Sequence, residues 1–188
     1  MNTPASLHPV QAAEDLSAYT VIDVRTPGEF AAGHLPGAHN VPLDHLGAAL
    51  PALKAAAARR TLLMVCASGN RSAAACAQLA DADIPATTLT GGTTAWIQQG
   101  HRVDRDTTAK ATWPMERQVR LAAGSLIVAG LALGTLYPPA RWLSAAIGGG
   151  LVFSAVTNTC GMAAVLAKLP YNRPRTADLD ATLQALGR

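Results

Sequence analysis

Twenty consecutive residues without a charge lie between Arg120 and Arg141, and twenty-six more lie between Arg141 and Lys168. A helix crosses the hydrocarbon core of a bilayer with about 20 apolar residues, so each run is long enough to span. Tyr137-Pro138-Pro139-Ala140-Arg141 separates the runs, and paired prolines stop a helix and mark a turn. Residues 121–170 therefore read as a two-helix transmembrane hairpin; two buried core helices of a soluble domain are the weaker reading. The charge, only 14% of the chain, gathers mostly before Arg120. That is where a water-facing domain can form.

Basic residues near the helix ends set the expected orientation. Lys110, Arg117 and Arg120 precede the first run, Lys168, Arg173 and Arg175 follow the second, and the turn holds only Arg141. Both ends and the N-terminal domain are thus expected in the cytoplasm, with the short turn outside, in a protein that crosses the membrane twice. Met1 to Val10 lacks a basic stretch followed by an apolar one, so no signal peptide is expected. Trp113, Tyr137, Trp142 and Tyr171 fall at or near the interfaces, where amphipathic rings collect. Gly130 and Gly134 have GxxxG spacing, and Ser144, Gly148, Gly149, Gly150 and Ser154 continue a run of small residues. Such spacing lets helices approach closely in lipid, either within one hairpin or between the hairpins of a homodimer. No acidic or basic residue interrupts either run, so nothing marks an ion pathway.

Before the membrane part, short apolar or β-branched runs alternate with helical stretches, the pattern of an α/β domain with a mostly parallel sheet flanked by helices. This domain is expected over residues 1–105, with a juxtamembrane linker at 106–120 and a cytoplasmic tail at 171–188. Strands are expected at Thr20–Val24, Ala38–Val41, Thr61–Val65 and Thr87–Thr90, the third being the most apolar and the sheet centre. Thr26-Pro27-Gly28-Glu29 opens a helix with a capping residue, a proline at the first position and a capping-box glutamate. Further helices are expected at Leu46–Ala58, Ser72–Ala80 and Thr93–Gln99. A net charge of +3, scattered and without interleaved aromatics, excludes a nucleic-acid surface.

The three cysteines, Cys66, Cys76 and Cys160, are too far apart for a CxxC metal site and make no disulfide framework. Cys66 ends the central strand, and Ala67-Ser68-Gly69-Asn70-Arg71-Ser72 leads from it into a helix. In an open α/β sheet, ligands bind at the carboxyl ends of the strands. There a helix N-terminus and turned loop amides form an anion nest. A thiol held there beside Arg71 is expected to exist partly as thiolate, the attacking form. Ala67, Ser68, Gly69, Asn70 and Ser72 line the cradle as substrate-binding residues, and Cys66 with Arg71 is the expected catalytic pair.

This loop resembles the active-site loop of rhodanese (thiosulfate:sulfurtransferase) domains. Val21-Ile22-Asp23-Val24-Arg25 through Glu29-Phe30 to Gly33-His34-Leu35-Pro36-Gly37-Ala38 is similar to the N-terminal motif of that family. Leu89-Thr90-Gly91-Gly92, Ala95-Trp96 and Gly100 are similar to its C-terminal motif. Arg117-Gln118-Val119-Arg120 before the apolar part, Cys160-Gly161-Met162-Ala163, and Leu169-Pro170-Tyr171-Asn172 resemble bacterial inner-membrane rhodaneses of the YgaP type. The resemblance implies a sulfurtransferase. It would move sulfane sulfur from a small anion such as thiosulfate, through a Cys66 persulfide, to cyanide or a thiol, without metal or organic cofactor. It also implies that Asp23, Arg25 and Glu29 hold the fold together.

Several residues have plainer readings. His34 and His39 are expected to be structural, and Cys76 to pack in the core. Cys160 lies eight residues before Lys168, roughly 12 Å of helix rise; it reads as a packing residue, with sulfur relay as the alternative. Family members that cleave thiosulfate often carry basic residues early in the loop, where this chain has Ala67 and Ser68. Thiosulfate is therefore expected to be a poor stand-in for the real donor. Two rivals remain. A phosphatase on this fold would separate cysteine and arginine by five residues, whereas Ala67 to Asn70 gives four. A non-enzymatic redox sensor or membrane tether would use Cys66 as an oxidant target.

Overall fold

The computed structural model describes residues 5–106, 113, 115–157, 161–169, 172 and 176–187. They fall into two compact units, Met1–Ala111 with Pro174–Arg188, and Thr112–Arg173.

The first unit is built on five parallel strands in the order β1-β5-β4-β2-β3: β1 Ser6–Leu7, β2 Tyr19–Asp23, β3 His39–Asn40, β4 Thr61–Val65 and β5 Ala86–Leu89. Parallel neighbours need crossovers. The helices α1 Pro9–Glu14, α2 Pro27–Ala32, α3 Leu46–Ala57, α4 Asn70–Ala80 and α5 Gly92–Gln98 lie in these connections and after β5. Helices therefore cover both faces of the sheet, and a strand covered on both faces is apolar on both. β4 shows this directly. Leu62 and Met64 join Ile22, Leu46, Leu53 and Leu79 in one core, whereas Leu63 and Val65 join Val21, Leu35 and Trp96 in the other. The expected central strand is central, and the expected α/β class holds. The short β1 and α1 at the start were not anticipated.

The first unit also contains a helix from the far end of the chain. α9, Thr176–Gly187, packs on α3 and against β3. Leu186 is buried in the same core as Ile22 and Met64, and Leu183 packs beside it. The Arg59 guanidinium, just past the end of α3, donates to the Leu186 carbonyl. The segment expected as a tail thus contributes to the core of the domain that begins the chain.

The second unit has α6 Met115–Leu133, a 3₁₀ turn at Pro138–Ala140, α7 Arg141–Thr157 and α8 Gly161–Ala167. Among the described residues one stretch, Pro138–Thr157, is long and apolar enough to cross a membrane. The first expected span differs for a physical reason. α6 begins Met115-Glu116-Arg117-Gln118-Val119-Arg120, and its uncharged part, 121–133, is shorter than a full crossing. α6 and α7 pack against each other, and α8 packs on α6. The GxxxG pair serves this internal contact. A Cβ on Gly130 would strike Ser144 Oγ, and one on Gly134 would strike the Arg141 side chain. Ser144 Oγ donates to the Ile127 carbonyl at 2.9 Å. Gly148, Gly149 and Gly150 have no such neighbour among the described residues.

The two ends of this unit are tied together. Gln118 and Asn172, both buried, exchange amide hydrogen bonds of 3.2 and 2.9 Å, and Asn172 also donates to the Leu166 carbonyl at 2.9 Å. Gln118 donates to the Trp113 carbonyl at 2.7 Å, and the Arg117 guanidinium lies 3.8 Å from the Trp113 ring centroid. Lys110, Cys160, Tyr171, Arg173 and Arg175 lie outside the described residues.

Candidate active site

Cys66 follows directly on β4, whose last residues pair in register with β2 as Ile22↔Met64 and Asp23↔Val65. The Val24 amide donates to the Val65 carbonyl at 2.8 Å, one rung before the cysteine. The loop then turns through Gly69, whose φ of +100° suits glycine, and α4 begins at Asn70. This turn returns the Gly69 amide to Cys66 Sγ at 3.1 Å. Ser72, in the first turn of α4, places its hydroxyl 3.5 Å from the same sulfur. An amide thus donates to the sulfur, and the Ser72 hydroxyl, which donates to the Gly69 carbonyl at 3.0 Å, lies within reach of it. Cys66 and Ser72 are fully buried, Ala67, Gly69 and Arg71 are half-buried, and Ser68 and Asn70 are exposed.

A second element fixes the start of the loop. The amides of Thr93 and Thr94 donate to the carbonyls of Cys66 and Ala67 at 2.8 and 3.0 Å, and Thr93 Oγ1 adds a bond to the Cys66 carbonyl at 3.2 Å. Gly92 makes this approach possible. Its φ is +58°, and a Cβ there would collide with the Cys66 carbonyl oxygen and lie 2.7 Å from the Ala67 carbonyl carbon. The Gly91-Gly92 pair is therefore a seat for the cysteine loop.

The structure gives Arg71 a partner other than a bound anion. Its guanidinium makes a two-pronged pair with Glu29, Nη1 to Oε2 at 2.9 Å and Nη2 to Oε1 at 2.8 Å. Glu29 is buried at the start of α2 and also accepts from Thr26 N at 3.1 Å and Thr26 Oγ1 at 2.9 Å, which forms the expected capping box. Burial by itself opposes ionisation of Glu29. The Arg71 hydrogen bonds and charge, with the Thr26 donors, outweigh it and hold the carboxyl below the ordinary 4.5. Arg71 so fastens the loop to α2, and a carboxylate balances its charge. Asp23 and Arg25 form a second ion pair, and both residues are buried.

The remaining candidates take the places expected of them. Cys76 packs in the core with Met64 and Leu79, and burial pushes its thiol up to about 11, so it stays protonated at neutral pH. Burial lowers the His39 pKa and favours the neutral ring. His34 stacks on Phe30 with ring centroids 3.7 Å apart, and its backbone exchanges hydrogen bonds with Asp104. Sequence reading passed over Thr88 and Thr93 as site residues. Thr93 was legible from its place directly after the two glycines; Thr88 carried no signal beyond a strand position.

Residues 7–99 match the family described as Rhodanese-like domain. Residues 114–174 match the family described as Inner membrane protein YgaP-like, transmembrane domain. An uncharacterized protein of Synechocystis is 37% identical over 166 residues, covering 87% of this chain and 90% of that one. The crystal structure of a rhodanese-related protein from Thermoplasma volcanium is 32% identical, with a TM-score of 0.50 over 53% of this chain and 97% of that one.

Proposed function

Because the chain belongs to the family that joins a rhodanese-like domain to a YgaP-like transmembrane domain, we propose that it is a membrane-anchored sulfurtransferase working through a persulfide on Cys66. The observation that carries this reading is the sulfur itself. It sits at the carboxyl end of the central strand, with the Gly69 amide donating to it at 3.1 Å and the Ser72 hydroxyl 3.5 Å away. Such donors stabilise a thiolate or persulfide anion in a site closed to water.

The reaction is a double displacement. The Cys66 thiolate attacks the outer sulfur of a donor such as thiosulfate. The donor's sulfur–sulfur bond breaks, and its electron pair leaves with sulfite. An acceptor nucleophile, cyanide or a thiolate, then attacks the terminal sulfur of the persulfide. The Cys66 thiolate leaves and is restored. Arg71, paired with Glu29, holds the loop in shape during both steps. With the one charged side chain of the loop balanced internally, recognition of the donor rests on amide and hydroxyl dipoles. That agrees with the neutral Ala67 and Ser68 and favours donors less highly charged than thiosulfate.

Turnover is tested in detergent or liposomes with the wild type and Cys66→Ser, with intact mass recorded after exposure to a sulfane donor. A gain of one sulfur atom in the wild type, and none in Cys66→Ser, is expected. No adduct and no turnover with thiosulfate, a glutathione persulfide or polysulfide would sink the reading and leave a thiol sensor on a membrane tether.

Two observations support an even number of membrane crossings, with the rhodanese-like domain and the C-terminal helix on one side. α9 is part of the core of the first unit, so the chain must return to the side on which that unit folds. In the second unit, Gln118 near the entry is bonded to Asn172 near the exit. The basic residues at both ends favour the cytoplasm for that side, and snorkelling of Arg117 and Arg120 would let α6 reach the interface. In spheroplasts, a membrane-impermeant maleimide is expected to label Ala140→Cys at the turn and to spare Ala181→Cys on α9. The reverse pattern, or labelling of both, would overturn the topology.

A further inference from the structure

The hydroxyl beside Cys66 does not stand alone. Ser72 Oγ lies 3.0 Å from the Gly69 carbonyl, 3.5 Å from Cys66 Sγ and 2.6 Å from Thr88 Oγ1 on β5. All four residues pack within the domain, and Ser72 and Thr88 are buried. A hydroxyl has one hydrogen to give and two lone pairs to receive. The Gly69 carbonyl can only accept. The Gly69 carbonyl also accepts from the Ala73 amide at 2.9 Å, so it keeps a partner whichever way Ser72 turns. While Cys66 is a thiol, one arrangement gives every hydroxyl and thiol hydrogen an acceptor. Ser72 donates to the Gly69 carbonyl and receives the hydrogens of Thr88 and of the thiol.

When Cys66 becomes a thiolate or persulfide, the sulfur no longer brings a hydrogen and needs one. The nearest hydroxyl hydrogen is that of Ser72, which can turn from the Gly69 carbonyl to sulfur. Its oxygen then keeps a donor only if Thr88 continues to supply one, and a buried hydroxyl oxygen without a donor is costly. A valine would fill the β5 position with nearly the same shape, so the hydroxyl at Thr88 calls for a reason beyond packing. We propose that Thr88 is a positioning residue for Cys66: its hydroxyl donates to Ser72 and so frees the Ser72 hydrogen to stabilise sulfur anions on Cys66. The inference rests on the reading of Cys66 as the nucleophile. It concerns a residue that touches neither donor nor acceptor.

The test reads the nucleophile without any sulfur donor. The second-order rate of iodoacetamide alkylation at Cys66 is measured on the full chain in detergent, with the label located by peptide mass. Thr88→Val is expected to react about fivefold more slowly than the wild type, the effect of one hydrogen bond. Thr88→Ser, which keeps the hydroxyl, is expected to stay within about twofold of it. In a Ser72→Ala background, Thr88→Val is expected to add nothing. Should the valine variant fail to fold, Thr88→Ala against Thr88→Ser isolates the hydroxyl, since both lack the methyl group. A wild-type rate in Thr88→Val, an equal slowing in Thr88→Ser and Thr88→Ala, or a full effect of valine without Ser72 would each overturn the proposal. Alkylation needs no sulfur transfer, so a chain that alkylates as expected and carries no sulfur would refute the sulfurtransferase and leave this inference standing.

Discussion

Replacing Gly92 with alanine is expected to lower the rate of Cys66 persulfide formation by about a hundredfold or more, the loss that an ångström of misplacement causes at a reacting centre. Two effects act at this position and only one of them is large. The left-handed backbone, at φ +58°, costs an alanine roughly 1–2 kcal/mol. The Cβ itself meets the Cys66 carbonyl oxygen and lies 2.7 Å from the Ala67 carbonyl carbon and oxygen. Those atoms belong to backbone, which cannot swing aside as a flexible side chain would. Either α5 retreats and loses the Thr93 and Thr94 bonds to the loop, or the loop moves and carries the sulfur with it. Gly37 separates the two effects. It also has positive φ, at +70°, but a Cβ there would meet no atom within 4 Å beyond its own chain neighbours. Gly37→Ala is expected to cost stability of about 1 kcal/mol and to leave sulfur loading unchanged. Gly92→Ala loading sulfur at the wild-type rate would show that the two glycines serve only the turn.

How much of this was legible beforehand depends on the range over which each signal acts. Thr26, Pro27 and Glu29 carry three agreeing local signals within four residues, and α2 starts there with the capping box formed. Thr61–Val65 is a strand with the expected limits because a short apolar run between turn signals has few other uses. Pairings between distant segments were not legible. Glu29 could be read as a cap and Arg71 as a charge near sulfur. Nothing local says that the two meet across 42 residues. α9 shows the same limit. Leu179, Leu183 and Leu186 repeat at helical spacing, yet a helix of twelve residues is marginal alone. Its partner, α3, lies more than a hundred residues earlier. In the second unit, absence of charge between Arg120 and Arg141 suggested a full span, but a helix boundary follows from packing and caps. α6 ends at Leu133, ahead of the prolines.

Asp23→Ala is expected to destabilise the rhodanese-like domain by about 3–5 kcal/mol, the cost of leaving one partner of a buried ion pair uncompensated. Asp23 is fully buried, and Arg25 nearly so. The carboxylate accepts from the Arg25 amide at 3.0 Å, from Nε at 2.9 and 3.0 Å, and from Nη2 at 2.6 Å. The same Nη2 donates to the Gly33 carbonyl at 2.8 Å, and Asn40 Nδ2 bridges the carbonyls of Asp23 and Arg25. Without the carboxylate, a guanidinium stays in the interior with one backbone acceptor. Domains of ordinary size are stable by about 5–15 kcal/mol, so the loss is a large share of the whole and is readable as a lower urea midpoint. Removing Arg25 as well is expected to recover part of the loss, because the stranded charge goes with it. Sulfur loading per folded molecule is expected to change little, since neither residue is bonded to the Cys66 loop. Asp23→Ala with a wild-type urea midpoint would contradict the scaffold role. A variant that kept its midpoint but lost sulfur loading would move Asp23 from the scaffold into the chemistry of Cys66.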